Sequence, residues 1–170
     1  MNSVKKLLED LQKLIAEQTY LYKKLLSVLK EENEIILSSS VDELNKNNKK
    51  KEVVILQIRL LDESCTKLLE KICQGAPENI NPPFFPKLME IIKEPYSTPL
   101  KSGYSKLVSL AQAVKKINTD NERLIKGSLR AIRSSISFLT ACVSSGGPFY
   151  ENRGQLKTDN VVMQMFEKEA

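Results

Sequence analysis

The sequence predicts an all-α protein: an elongated antiparallel helical bundle, or coiled coil, of three long helices and one short one, followed by a flexible C-terminal segment. Two observations lead there. Apolar residues recur at heptad spacing through the first 37 residues, and Gly and Pro fall mainly between 75 and 99 and between 146 and 148, leaving long stretches for uninterrupted helix. Composition agrees, since aromatics are 6% of the chain and Trp is absent, which favours Leu/Ile helix packing over a ligand pocket. A chain of 170 residues, 41% apolar, suits one core. The bundle is expected over residues 1–145 and the flexible segment over 146–170.

Helix one is read from Val4 to Leu37. Two apolar columns repeat along it every seven residues: Leu7, Leu14, Leu21, Val28 and Ile35, and beside them Leu8, Ile15, Tyr22, Leu29 and Ile36. Val4, Leu11 and Leu25 widen the stripe, so this helix packs its seam on a neighbour in coiled-coil fashion. Ser38, Ser39 and Ser40 break the pattern, and Ser40 with Glu43 forms a capping box that starts helix two. So short a connection predicts an antiparallel hairpin. Helix two carries Val41, Leu44, Val54, Ile55, Ile58, Leu61, Cys65, Leu68, Leu69 and Ile72, with Asn47, Asn48 and Lys51 interrupting the stripe.

The run 74–86 contains Gly75, Pro77, Pro82, Pro83 and Pro86, through which no continuous helix passes. A short helix is expected from Lys87 to Glu94, ended by Pro95, and Pro99 then suits the first turn of the last helix. That helix is read from Leu100 to Val143. Its stripe runs through Leu107, Leu110, Ala111, Val114 and Ile117, meets a polar layer at Asn118 and Asn121, and resumes with Leu124, Ile125, Ile132, Ile136, Leu139 and Val143. The two Asn are either buried devices that fix register at the expense of stability, or exposed residues on an imperfect stripe. Gly127, unfavourable inside a helix by about 1 kcal/mol, suggests a close helix crossing. Ser144 to Pro148 stop the helix. In the segment beyond, Phe149, Tyr150, Leu156, Val161, Val162, Met163, Met165 and Phe166 are more apolar than a solubilising tail requires. They either dock on the chain's own bundle or meet a partner.

Histidine is absent, which removes the commonest general base and nitrogen ligand, so no catalytic residue, metal site or cofactor is expected. Cys65, Cys73 and Cys142 form no CxxC pair, are odd in number and sit at helical spacing among apolar residues, as small buried hydrophobes do in a reducing compartment. Charges interrupt the N-terminus at Lys5, Lys6, Glu9, Asp10 and Lys13, and no long uncharged apolar run follows. A cytoplasmic protein without stable membrane insertion is the expectation. The net charge of +5 concentrates between 101 and 133, where eight Lys and Arg face only Asp120 and Glu122. Such a face is either the solvated side of a helix or an attractor of acidic partners, and with no aromatic interleaving or binding motif a nucleic-acid partner is not expected.

Asn118-Thr-Asp-Asn121-Glu-Arg-Leu124-Ile125-Lys-Gly-Ser128-Leu129 resembles the N-x-x-N-x-x-L-I-x-x-S-L run of FlgN-type flagellar export chaperones. About twenty residues on, Tyr150-Glu-Asn-Arg-Gly154-Gln-Leu156 is similar to the Y-x-x-x-G-x-L that follows in that family, and Val41-Asp-Glu-Leu44 through Lys50 resembles its start of helix two. Glu122 stands where many members have Gly. The resemblance implies a non-enzymatic, cofactor-free chaperone of flagellar type III export. Its clients would be the hook-associated, or hook-filament junction, proteins, held by their C-terminal helical region, kept unassembled and presented to a component of the export gate. It places client binding in the C-terminal part, where Phe149, Tyr150, Gly154, Leu156, Val161, Val162, Met165 and Phe166 lie, with Tyr150 meeting either client or gate. Asn118, Asn121, Leu124, Ile125, Ser128 and Leu129 form the structural motif. A coiled-coil scaffold or adaptor unrelated to secretion is the alternative, which explains the heptads but not the two motifs in order.

Overall fold

A computed structural model describes residues 2–75 and 85–144. In order along the chain stand α1 (Asn2–Ser38), α2 (Val41–Gln74), α3 (Phe85–Ile91) and α4 (Ser97–Ser144), and no strand occurs among the described residues. This is the all-helical bundle expected, with the long helices extended by one to three residues at their ends, and the short helix two residues early at its start and stopping at Ile91, three residues before the expected Glu94 and so not at Pro95. Two compact units divide the chain, Met1–Glu122 and Arg123–Ala170.

In the first unit the heptad columns of α1 do what their spacing requires. Leu8, Leu11, Ile15, Leu21, Leu25, Val28 and Leu29 are all buried. At 1.5 Å per residue the 37-residue helix is about 55 Å long, and two clusters fill its length. The upper one joins Leu21, Leu25 and Leu29 to Val54 and Ile58 of α2, with Val114 and Ile117 of α4 packed against it. In the lower one Leu8, Leu11 and Ile15 meet Cys65, Ile72 and Cys73 of α2, Phe85, Leu88 and Met89 of α3, and Leu100 of α4. The short helix thus closes the end of the bundle where α1 begins, helped by the Phe85 ring stacked on Tyr104 at 4.3 Å between centroids.

Hydrogen bonds fix the directions. Gln18 Nε2 donates to Asp62 Oδ1 at 2.5 Å and Lys50 Nζ to Glu31 Oε1 at 2.8 Å, an antiparallel pairing of α1 with α2. Tyr96 donates to Glu9 and Asn33 to Asn121, separations of 87 and 88 residues, so α4 runs parallel to α1 in one steady register.

Two local expectations are corrected. Ser40 is the N-cap residue of α2, with φ −87° and ψ 101°, but its hydroxyl makes no capping bond. The helix start rests instead on Leu44 N–H donating to the Ser40 carbonyl at 3.0 Å, after the chain turns through Ser39 at φ 58°. The close helix approach lies at Gly103, not Gly127. A Cβ built on Gly103 would stand 3.0 Å from Ile15 Cγ2, whereas one on Gly127 would meet nothing within 4 Å.

In the second unit α4 continues to Ser144, and its side chains from Lys126 to Thr140 are exposed. Leu129, Ile132, Ile136, Phe138 and Leu139 are all exposed, Ile136 by 57% and Leu139 by 62%. Here the expectation that the stripe beyond the Asn layer packs like the stripe before it does not hold. The helix has 48 residues against 37 in α1 and 34 in α2.

Candidate functional site

The asparagine motif straddles a buried polar layer. Asn121 is 1% exposed, and its side-chain amide donates to the Leu29 carbonyl at 2.8 Å and to Glu32 Oε2 at 2.9 Å, while its Oδ1 accepts from Asn33 Nδ2 at 2.8 Å. Glu32 is 2% exposed, and its other oxygen takes an ion-paired hydrogen bond from Lys51 of α2. One level away Asn47, also buried, donates to the Val28 carbonyl at 3.3 Å and leaves its Oδ1 without a partner. A buried carboxylate is expensive unless paired and hydrogen-bonded, and these neighbours supply both. The layer ties three helices together at one register. It holds no nucleophile and no acid–base pair, and among the described residues no cluster of three or more His, Cys, Asp or Glu occurs that would hold a metal.

Asn118 points to solvent, so only one of the two Asn belongs to this layer. Asn47 and Lys51, which interrupt the apolar stripe of α2, complete it from the other side. The clue to them in sequence was a polar pair four residues apart inside an apolar face, which helical geometry places on one side.

Lower down, Asp62 sits against α1. Burial holds its carboxyl above the usual carboxylate range, and the hydrogen bond from Gln18 works in the opposite direction. Its neighbours Tyr22 and Cys65 are pushed up as well, first by burial and then by the Asp62 charge, which keeps both protonated. Between α1 and α4 lies an open groove of about 350 Å³ lined by Thr19, Lys23, Ser102 and Lys106 among others. No titratable cluster faces it.

The rest of the motif lies on the exposed part of α4. Ser128 and Leu129 are exposed, Leu124 is 37% exposed and Ile125 half-buried. Ile125, Leu129, Ile132, Ile136 and Leu139 follow one another at spacings of four, three, four and three, a heptad seam half-buried at Ile125 and exposed from Leu129 to Leu139. Sequence reading set Ile132, Ile136 and Leu139 on the apolar stripe without telling that they are surface. Phe149, Tyr150, Gly154, Leu156, Val161, Val162, Met165 and Phe166 lie outside the described residues.

Comparison with protein families matches residues 1–158 to the model of the FlgN protein family. The chain belongs to the FlgN family. Comparison with curated proteins and with solved structures finds no match. The FlgN match covers both motifs and all four helices, and it makes the protein a flagellar export chaperone, of a family of chaperones and not of enzymes. No helix among the described residues is long and apolar enough to cross a membrane.

Proposed function

We propose that this FlgN-family protein is a cytoplasmic chaperone for hook-associated proteins, which it binds by their C-terminal helical region, keeps unassembled and carries to the flagellar export gate. The observation that carries this reading is the exposed apolar seam of α4 from Leu129 to Leu139. A client helix that pairs with its neighbours in the finished filament presents a matching stripe beforehand, and helix-on-helix cover is the reversible way to shield it. The apolar content of the sequence from Phe149 to Phe166 supports a share of the client site for it, with Val162, Met165 and Phe166 at a spacing that one face of a short helix would present together. Ten residues are too few to hold a helix alone in water, so ordering of this stretch on contact with client moderates affinity and permits release.

Deleting residues after Ser145 tests the assignment to the tail. The thermal transition of the bundle should stay in place while affinity for a hook-associated protein falls at least about tenfold, or about 1.4 kcal/mol. Unchanged affinity would remove the tail from the site. Tyr150→Ala separates two roles: secretion lost with client binding intact assigns the ring to the gate.

A further inference from the structure

The exposed part of α4 has a property that a client helix alone does not require. From Arg123 to Ser144 it contains no acidic residue, and its charges are Arg123, Lys126, Arg130 and Arg133, all at exposed positions. At 3.6 residues per turn these cations fall within about a quarter of the helix circumference, and Leu124, Ile125, Leu129, Ile132, Ile136, Phe138 and Leu139 spread over about half of it on the other side. From Ser134 onward the helix carries no charge at all.

We propose that this stretch is a reversible membrane-surface helix for anionic phospholipid, and that lipid and client compete for its apolar face; the competition, though not the lipid binding, rests on the chaperone reading above. A wide apolar face backed by cations is the pattern of a helix that lies in the headgroup layer. The width matters, because a two-stranded pairing covers the narrow seam and leaves Leu124 and Phe138 in water, whereas a lipid interface takes the whole half. Charge matters too. The same stretch of a second copy would set Arg123, Arg130 and Arg133 against their like and holds no carboxylate of its own, while an anionic leaflet attracts each Lys or Arg near its surface. Two hydroxyls inside or bordering the apolar face already bond to their own helix, Ser135 donating to the Ala131 carbonyl at 3.0 Å and Thr140 to the Ile136 carbonyl at 2.9 Å, so entering the interface strands neither of these. No described helix is apolar enough to cross, which leaves the plane of the interface as its place. Arrival at the membrane then loosens the client where it is to be handed over.

The test uses the full-length protein sedimented with vesicles of phosphatidylcholine alone and of phosphatidylcholine with phosphatidylglycerol at about 2:1. Partitioning should be at least about tenfold stronger on the anionic vesicles and should weaken as salt shortens the Debye length. R130E/R133E and I136D/L139D, all exposed positions, should each lower it about tenfold or more with the bundle's thermal transition unmoved, and deletion after Ser145 should leave it intact. Wild-type protein left in the supernatant, equal binding to both vesicle types, or variants that bind like wild type would overturn the proposal. A dimer abolished by I136D/L139D in protein that ignores vesicles would also overturn it, in favour of self-pairing. Anionic vesicles should release a bound hook-associated protein; simultaneous binding of both refutes the competition. A hook-associated protein that never binds refutes the chaperone reading and leaves the lipid result standing.

Discussion

Asn118 and Asn121 are three positions apart in one motif and have opposite environments, which makes them a matched pair for measurement. Asn121→Ala withdraws two donors and an acceptor from a largely buried layer, taking from the Asn33 amide its acceptor, from the Leu29 carbonyl the bond it accepts beyond its helix, and weakening the hold on Glu32. Leaving buried polar groups unsatisfied should lower stability by about 2–3 kcal/mol in urea unfolding. Asn118→Ala should fall within about 0.5 kcal/mol of wild type, as exposed substitutions do. Lys51→Met is the harsher change, because it abandons a carboxylate that is 2% exposed; a loss of about 3 kcal/mol or more is expected by the same assay. Asp62 carries a pH dependence. Its folded pKa is raised by burial, so the folded chain binds that proton more tightly than the unfolded chain does. Ionisation of Asp62 therefore weakens the fold at pH above the folded pKa, and the handicap fades as pH falls through it. Asp62→Asn, whose amide oxygen still accepts from Gln18, should remove this contribution and flatten the curve of urea midpoints just above the ordinary carboxyl range.

At the scale of the element, the two glycines of α4 report what each half of the helix faces. Gly127→Ala gains helix propensity in open space and should raise stability by up to about 1 kcal/mol. Gly103→Ala has the same propensity to gain, but its methyl would press on the buried Ile15 side chain at 3.0 Å, so the gain should be cancelled or reversed. Equal stabilisation by both substitutions, measured by thermal unfolding followed at the helical circular dichroism band, would contradict the close crossing. The elements were largely legible beforehand because their signals are local: a heptad column needs only its own spacing, and Pro stops a helix by its own ring. The Ser40 capping box shows the limit. Its residues match the pattern and the helix does begin there, yet the tight turn through Ser39 leaves the hydroxyl without a capping bond. A capping bond depends on the path of the incoming chain, which the four-residue pattern does not contain.

At the scale of the molecule, one helix serves two environments. Leu110, Val114 and Ile117 of α4 are half-buried, the last two against the core, whereas its side chains from Lys126 to Thr140 are exposed. Hydrogen exchange should separate them, with slow exchange at Leu110 to Ile117 and exchange faster by at least about tenfold at Leu129 to Leu139. Uniform protection along α4 would show that the exposed seam has acquired cover.

The sequence by itself determined the helices, their order, the antiparallel hairpin and, through two motifs in register, the FlgN resemblance that the family comparison bears out. Each of these is written in spacing along the chain. Tertiary structure alone decided which of two like residues is buried and which half of one continuous stripe is core. Ile117 and Ile132 are the same residue type on the same helix, and nothing within a few positions of either tells them apart. The difference lies in whether α1 and α2 stand beside them, and burial is a property of neighbours brought from 60 to 90 positions away, not of the residue that is covered.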